Sequence, residues 1–89
     1  QGGQFEPAID VMRTYLDLAP EDALAWATLA QALLQTGQQN EADRAVERGL
    51  QVAPSNPVLL QECVAYYRAT GRGMRARELE QRIRSLVRR

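Results

Sequence analysis

The chain has 89 residues, of which 45% are apolar and 25% are charged, and its formal net charge is zero. This composition indicates one small folded domain and excludes a disordered tail. The absence of histidine and the single cysteine exclude the usual imidazole base, an internal disulfide and a thiolate metal cluster, so the sequence predicts no enzyme, no cofactor and no small-molecule substrate.

Five helices are predicted from the spacing of apolar residues, which recur every three or four positions with no competing alternating run. Asp22 and Asn56 are expected to cap helix starts, and Gly37 and Gly71 are expected to end helices in the left-handed conformation that glycine adopts freely. The predicted helices are 5–19, 23–36, 39–53, 57–70 and 73–87. No apolar run approaches the roughly 20 residues of a membrane span.

The sequence also repeats itself with a period of 34 residues. At this offset three sets of identical residues come into register: Gly3, Gly37 and Gly71; Ala8, Ala42 and Ala76; and Pro20 and Pro54. A fixed period in this range indicates stacked supersecondary units rather than an ordinary globule. Each unit is predicted to be a helical hairpin.

One unit, from Ala23 to Pro54, resembles a tetratricopeptide repeat. The residues that carry this resemblance are Trp26, Leu29, Ala30, Leu33, Gly37, Ala42, Val46, Gly49 and Pro54. Residues 57–88 resemble a weaker copy through Leu60, Cys63, Tyr67, Gly71, Ala76 and Ile83, and residues 3–20 resemble the second half of a copy. The resemblance implies a single all-α domain over 1–89, with units 3–20, 23–54 and 57–89, built as a right-handed superhelical solenoid of antiparallel hairpins. We expect this domain to be a fragment of a longer protein.

Small residues at Ala30, Ala42 and Ala76 should let the helix axes approach closely, while Trp26 and Tyr67 fill the space between the helices of each hairpin. Trp26 and Cys63 are therefore expected in the core. The last helix is expected to cap the array and to direct its apolar residues inward; these are Met74, Ala76, Leu79, Ile83 and Leu86. At the other end, if the first helix of the leading hairpin is absent, an exposed apolar edge that could drive self-association is expected at Phe5, Ile9, Met12 and Leu16.

The resemblance also implies a concave groove that binds a peptide or protein partner. Its predicted residues are Leu24, Ala27, Gln31, Leu34 and Gln35 on one helix and Val58, Gln61, Ala65, Arg68 and Ala69 on the next. The glutamines would hydrogen-bond a peptide backbone and Leu34 and Val58 would hold an apolar side chain. The alternative is that these residues are only the solvent-facing or packing residues of a spacer. A carboxylate clamp is not expected, because no cation stands at Ala27, Gln31, Gln61 or Ala65.

The predicted function is a non-enzymatic protein-interaction scaffold, with a bacterial envelope, secretion or exopolysaccharide-export assembly as its setting, in the periplasm or the cytoplasm. The bacterial interpretation rests on the eleven basic residues, all of which are arginine. Residues 72–89 carry seven arginines against two acids, which leaves nucleic-acid or anionic-surface binding as an alternative. The helix lacks aromatic residues for base stacking, which argues against nucleic acid. A regulatory or targeting domain of a larger enzyme is the other alternative.

Overall fold

The computed structural model describes residues 5–88, which form an all-helical chain. The helices are α1 (Phe5–Leu18), α2 (Ala23–Gln35), α3 (Gln39–Val52), α4 (Pro57–Ala69) and α5 (Gly73–Val87). The predicted all-α fold class is confirmed, and every predicted helix ends within one residue of its predicted position. The repeat position Gly3, the Phe5 side chain of the predicted edge and Arg89 lie outside the described residues.

The starts of α2 and α4 are fixed by side-chain caps. The Asp22 carboxylate accepts a hydrogen bond from the backbone N–H of Ala25 at 3.1 Å, and the Asn56 side chain accepts from Val58 and Leu59 at 2.9 and 3.3 Å. These bonds satisfy amides that have no partner within the helix. Both predicted caps are therefore present.

The ends of α2 and α4 close in the same way, through a glycine with a positive φ. The φ angle is 80° at Gly37 and 79° at Gly71. After each glycine the chain turns back, and the N–H of the next residue donates to a carbonyl of the preceding helix: Gln38 to Leu33 at 2.9 Å and Arg72 to Tyr67 at 2.7 Å. This geometry sets the second helix of each hairpin antiparallel to the first.

The helices stack in chain order. The pairs α2–α3 and α4–α5 pack most extensively, α1 packs on α2, and α4 contacts both α2 and α3. Close approach occurs at Ala30, Ala42 and Ala76, which are fully buried as predicted. Leu29, Leu33, Tyr67 and Cys63 are buried with them, and the molecule extends 42 × 29 × 16 Å.

Three predictions about the core are corrected by the structure. Met74 is 79% exposed, because it lies about 160° around α5 from the buried residue Ala76. Ile9 and Leu16 are buried, because this stripe of α1 faces α2 rather than an open edge. Trp26 is only half-buried, because one side of its ring borders a cleft.

The exposed apolar face of α1 lies on its other side. Val11 and Leu18 are both exposed, Leu18 at 83%, and Tyr15 beside them donates a hydrogen bond to Asp22 at 2.5 Å. Self-association through this end of the molecule stays a prediction.

Cys63 is expected to resist alkylation in the folded chain. Its side chain is buried, and burial raises the pKa of the thiol from 9.0 to about 11, with the charge of Arg75 opposing the shift. At a pH below both pKa values, the fraction of Cys63 present as thiolate is then about a hundredfold lower than for a thiol with the ordinary pKa of 9.0. Iodoacetamide should modify Cys63 only after urea unfolding, as followed by mass spectrometry. Rapid modification with native helicity retained would contradict the burial.

Candidate protein-binding groove

A shallow groove lies between α2 and α4, the two helices that begin the hairpins. Its cavity of about 210 Å³ is bounded by one face of each helix. The lining residues are Gln31, Leu34 and Gln35 from α2 and Ala65, Tyr66 and Ala69 from α4. Residues three or four apart share a face of a helix, and this spacing places the three side chains of each helix on the same wall.

A polar bridge crosses the groove from one helix to the other. The Gln31 amide donates a hydrogen bond to the Glu62 carboxylate at 3.1 Å, and both side chains are exposed. A bond between exposed groups contributes little to stability, because each group can bind water instead. Gln31 can therefore exchange this bond for one to a peptide backbone, as its predicted role requires.

The floor of the groove contains Tyr66, which sequence reasoning missed. Its ring meets the Tyr67 ring edge to face, with the centroids 5.5 Å apart, and its hydroxyl donates to the Asp43 carboxylate. Burial raises the pKa of the Tyr66 hydroxyl, and the hydrogen bond to Asp43 raises it further. Tyr66 is thus a neutral donor held in one orientation.

Asp43 connects this tyrosine to the start of α5. Its two oxygens accept hydrogen bonds from the Arg72 guanidinium at 2.9 and 3.0 Å. The Arg72 guanidinium carbon also lies 5.9 Å from the centroid of the Tyr66 ring and 5.6 Å from that of Tyr67. Such bidentate and cation–π contacts have fixed geometry, so this Asp43–Arg72–Tyr66 network, which spans α3, α4 and α5, positions the groove floor.

The remaining predicted groove residues lie in other places. Leu24 and Val58 are exposed in the first turns of α2 and α4, outside the cavity, and Ala27 is buried beneath the surface of α2. Gln61 borders a different cleft, shared with Glu80 and Arg84 of α5. Arg68 forms an ion pair with Glu80.

Several arginines of the basic C-terminal segment bind other parts of the protein. Arg72 binds Asp43, Arg75 pairs with Glu78 at 3.2 Å, and Arg82 donates to the Pro54 carbonyl at 3.4 Å. These three guanidinium groups already contact oxygen atoms of the protein itself, so they are less available to bind a nucleic acid or an anionic surface. The geometry therefore does not favour that alternative over the groove.

Within residues 5–88, no group of three or more acidic or cysteine side chains is arranged to hold a metal ion. None of the helices described there is long and apolar enough to cross a membrane.

The chain is similar to a protein family and to a known protein. A tetratricopeptide repeat family model matches residues 1–62. The small glutamine-rich tetratricopeptide repeat-containing protein 2 of Mycosarcoma maydis is 37% identical over 59 residues, which are 66% of this chain but only 17% of that protein. No solved structure matches the chain significantly.

Proposed function

Because the chain belongs to the tetratricopeptide repeat family, whose members are typically non-enzymatic protein-interaction scaffolds, we propose that the α2–α4 groove binds an extended segment of a partner protein. The observation that carries this proposal is the groove itself. It brings together five of the residues predicted to meet a partner: Gln31, Leu34, Gln35, Ala65 and Ala69.

The chemistry of the groove favours a segment with one modest apolar side chain. Leu34, Ala65 and Ala69 offer an apolar surface, and the cavity of about 210 Å³ is smaller than the roughly 300 Å³ at which small-molecule pockets begin. Gln31 and Gln35 can hydrogen-bond the peptide backbone on either side of that chain. The groove offers no cation, so the partner's recognition does not depend on a terminal carboxylate.

The comparisons give no support to the expected setting in a bacterial envelope, secretion or export assembly. The chain covers only 17% of the length of the protein from Mycosarcoma maydis, so the activity of a larger protein around this domain, and a role in regulating or targeting an enzyme, stay predictions.

The proposal is tested by selecting binding peptides from a displayed library and measuring their affinities by calorimetry. Ala65→Glu places a charge in the groove at an exposed position, and Leu34→Glu places one opposite it. Leu24→Glu makes the same change as Leu34→Glu on the same helix but outside the cavity. We expect the two groove variants to weaken binding at least about tenfold and Leu24→Glu to leave it unchanged.

Circular dichroism of each variant shows whether helicity is retained. Because Leu34 packs partly against the core, Ala65→Glu decides the test if Leu34→Glu loses helicity. Equal affinity for the wild type and a folded Ala65→Glu variant would reject the groove as the binding site.

A further inference from the structure

A larger cleft opens between α1 and α3, over a different face of α2 from the one that lines the groove. Its volume is about 370 Å³, within the range of about 300–1,000 Å³ that ligand sites occupy. The lining residues are Arg13, Leu16 and Asp17 from α1, Trp26, Leu29 and Leu33 from α2, and Glu41, Arg44, Ala45 and Arg48 from α3.

The floor of this α1–α3 cleft is apolar and fixed. Leu16, Leu29 and Leu33 are buried in it, and the half-buried Trp26 ring forms one end. The Trp26 indole N–H donates to the Pro20 carbonyl at 2.9 Å, which holds the ring in place. A rigid apolar surface of this kind gains free energy when an apolar side chain covers it.

The α3 wall of the cleft is basic. Arg44 and Arg48 stand one helical turn apart, and the Arg48 guanidinium carbon lies 5.3 Å from the centroid of the Trp26 ring. Within residues 5–88, neither guanidinium has a carboxylate within 4.0 Å. Arg13 and Glu41, also in the lining, form an ion pair with each other, and Asp17 is the other acid there, so the cleft carries three arginines against two acids.

The equivalent positions one repeat later carry different residues. Thirty-four residues after Ala45 stands Leu79, a larger side chain that is fully buried. At the same offset Arg44 is replaced by Glu78, which pairs with Arg75. Two features therefore distinguish the α1–α3 cleft from the equivalent positions one repeat later: the small Ala45, and Arg44, which has no carboxylate partner within residues 5–88.

We propose that the α1–α3 cleft binds an acidic segment of a partner polypeptide that carries a large apolar side chain. The apolar side chain lies on the floor beside Trp26, and carboxylates flanking it pair with Arg44 and Arg48. Guanidinium–carboxylate hydrogen bonds are charge-assisted and directional, which makes acidic residues the complement of this wall. None of these residues belongs to the α2–α4 groove, so each of the two sites can be tested, and rejected, independently of the other.

Trp26 is the single tryptophan of the chain and lines the cleft, so all tryptophan emission comes from this site. The test titrates the wild type with the peptide acetyl-EELFEE-amide and follows Trp26 emission. A saturable change is expected. The matched peptides acetyl-QQLFQQ-amide, without carboxylates, and acetyl-EESGEE-amide, without the apolar pair, should each bind at least about tenfold more weakly. No saturable change up to about 1 mM acetyl-EELFEE-amide would overturn the proposal.

Two substitutions copy the residues found one repeat later. Ala45→Leu fills the cleft and should abolish the fluorescence response. Arg44→Glu reverses a charge at an exposed position and should weaken binding at least about tenfold. Arg77→Glu makes the same charge change at an exposed position of α5, away from the cleft, and should leave the affinity unchanged. If Ala45→Leu fails to fold, Arg44→Glu still decides, and equal affinity of the Arg44→Glu and Arg77→Glu chains would overturn the proposal.

Discussion

Leu59→Ala is expected to lower the free energy of unfolding by about 3 kcal/mol. Leu59 is fully buried where α4 meets α3, and its Cδ1 lies 3.4 Å from the position that a Cβ would take on Gly49. The cavity left by the missing carbons stays open, because Gly49 has no side chain that could move into it. Most small domains are stable by only about 5–15 kcal/mol, so the loss is a large fraction of the total.

The measurement is urea unfolding followed by circular dichroism, with Val58→Ala as the control. Val58 precedes Leu59 in the same turn and is 56% exposed, so its truncation should change stability by less than about 0.5 kcal/mol. Repeat units hold together through their neighbours, so a weakened junction should also broaden the transition as the α2–α3 and α4–α5 hairpins unfold separately. A loss under about 1 kcal/mol would show that Leu59 does not join the hairpins.

Asp43→Asn is expected to cost about 2 kcal/mol at neutral pH, because it removes the charge that holds the Asp43–Arg72–Tyr66 network. The asparagine side chain has nearly the same shape, but it is uncharged. Its NH2 group also cannot accept a hydrogen bond, so one of the two bonds from the Arg72 guanidinium is lost. Asp10→Asn, a matched change of an exposed acid on α1, should alter stability by less than about 0.5 kcal/mol. Chemical unfolding of the two variants and the wild type measures the difference.

The effect of Asp43→Asn should depend on pH. Burial of Asp43 raises the pKa of its carboxyl, but the hydrogen bonds from Arg72 and Tyr66 and the Arg72 charge lower it more, so the net pKa falls below the ordinary 3.8. A carboxylate with a lowered pKa stabilises the fold fully above the pKa of the unfolded chain, and its contribution is lost as the pH falls through the folded pKa. The difference between wild type and Asp43→Asn should be constant down to about pH 5 and shrink below about pH 4. If the difference in unfolding free energy between the wild type and Asp43→Asn stays constant below about pH 4, the charge of Asp43 does not stabilise the fold through this network.

Most of the fold was predictable because its signals are local. Apolar spacing, the capping residues Asp22 and Asn56, and the turn glycines Gly37 and Gly71 each act within a few residues of the chain. The errors arose where the partner of a helix face had to be known. The stripe with Ile9 and Leu16 was correctly grouped, but its placement on an open edge was wrong, since α2 covers it.

The candidate groove was predictable only in part for the same reason. Gln31, Leu34, Gln35 and Ala65 follow from repeat register, which fixes equivalent positions on α2 and α4. The hydrogen bond of Gln31 to Glu62 and the ion pair of Arg68 with Glu80 depend on how long side chains reach between helices, and repeat register does not specify that. Tyr66 escaped prediction because the adjacent Tyr67 occupied the aromatic position of the motif.

The stacking of helices in chain order has a consequence for how the molecule folds in time. Within residues 5–88, each helix contacts only helices one or two places away along the chain. Ordering such contacts requires the closure of short loops, each of which loses little chain entropy, and domains with this low contact order fold in microseconds to milliseconds. The extensively packed α2–α3 hairpin can then form while α4 and α5 are still being synthesised, and it offers a surface on which each later helix docks as it appears.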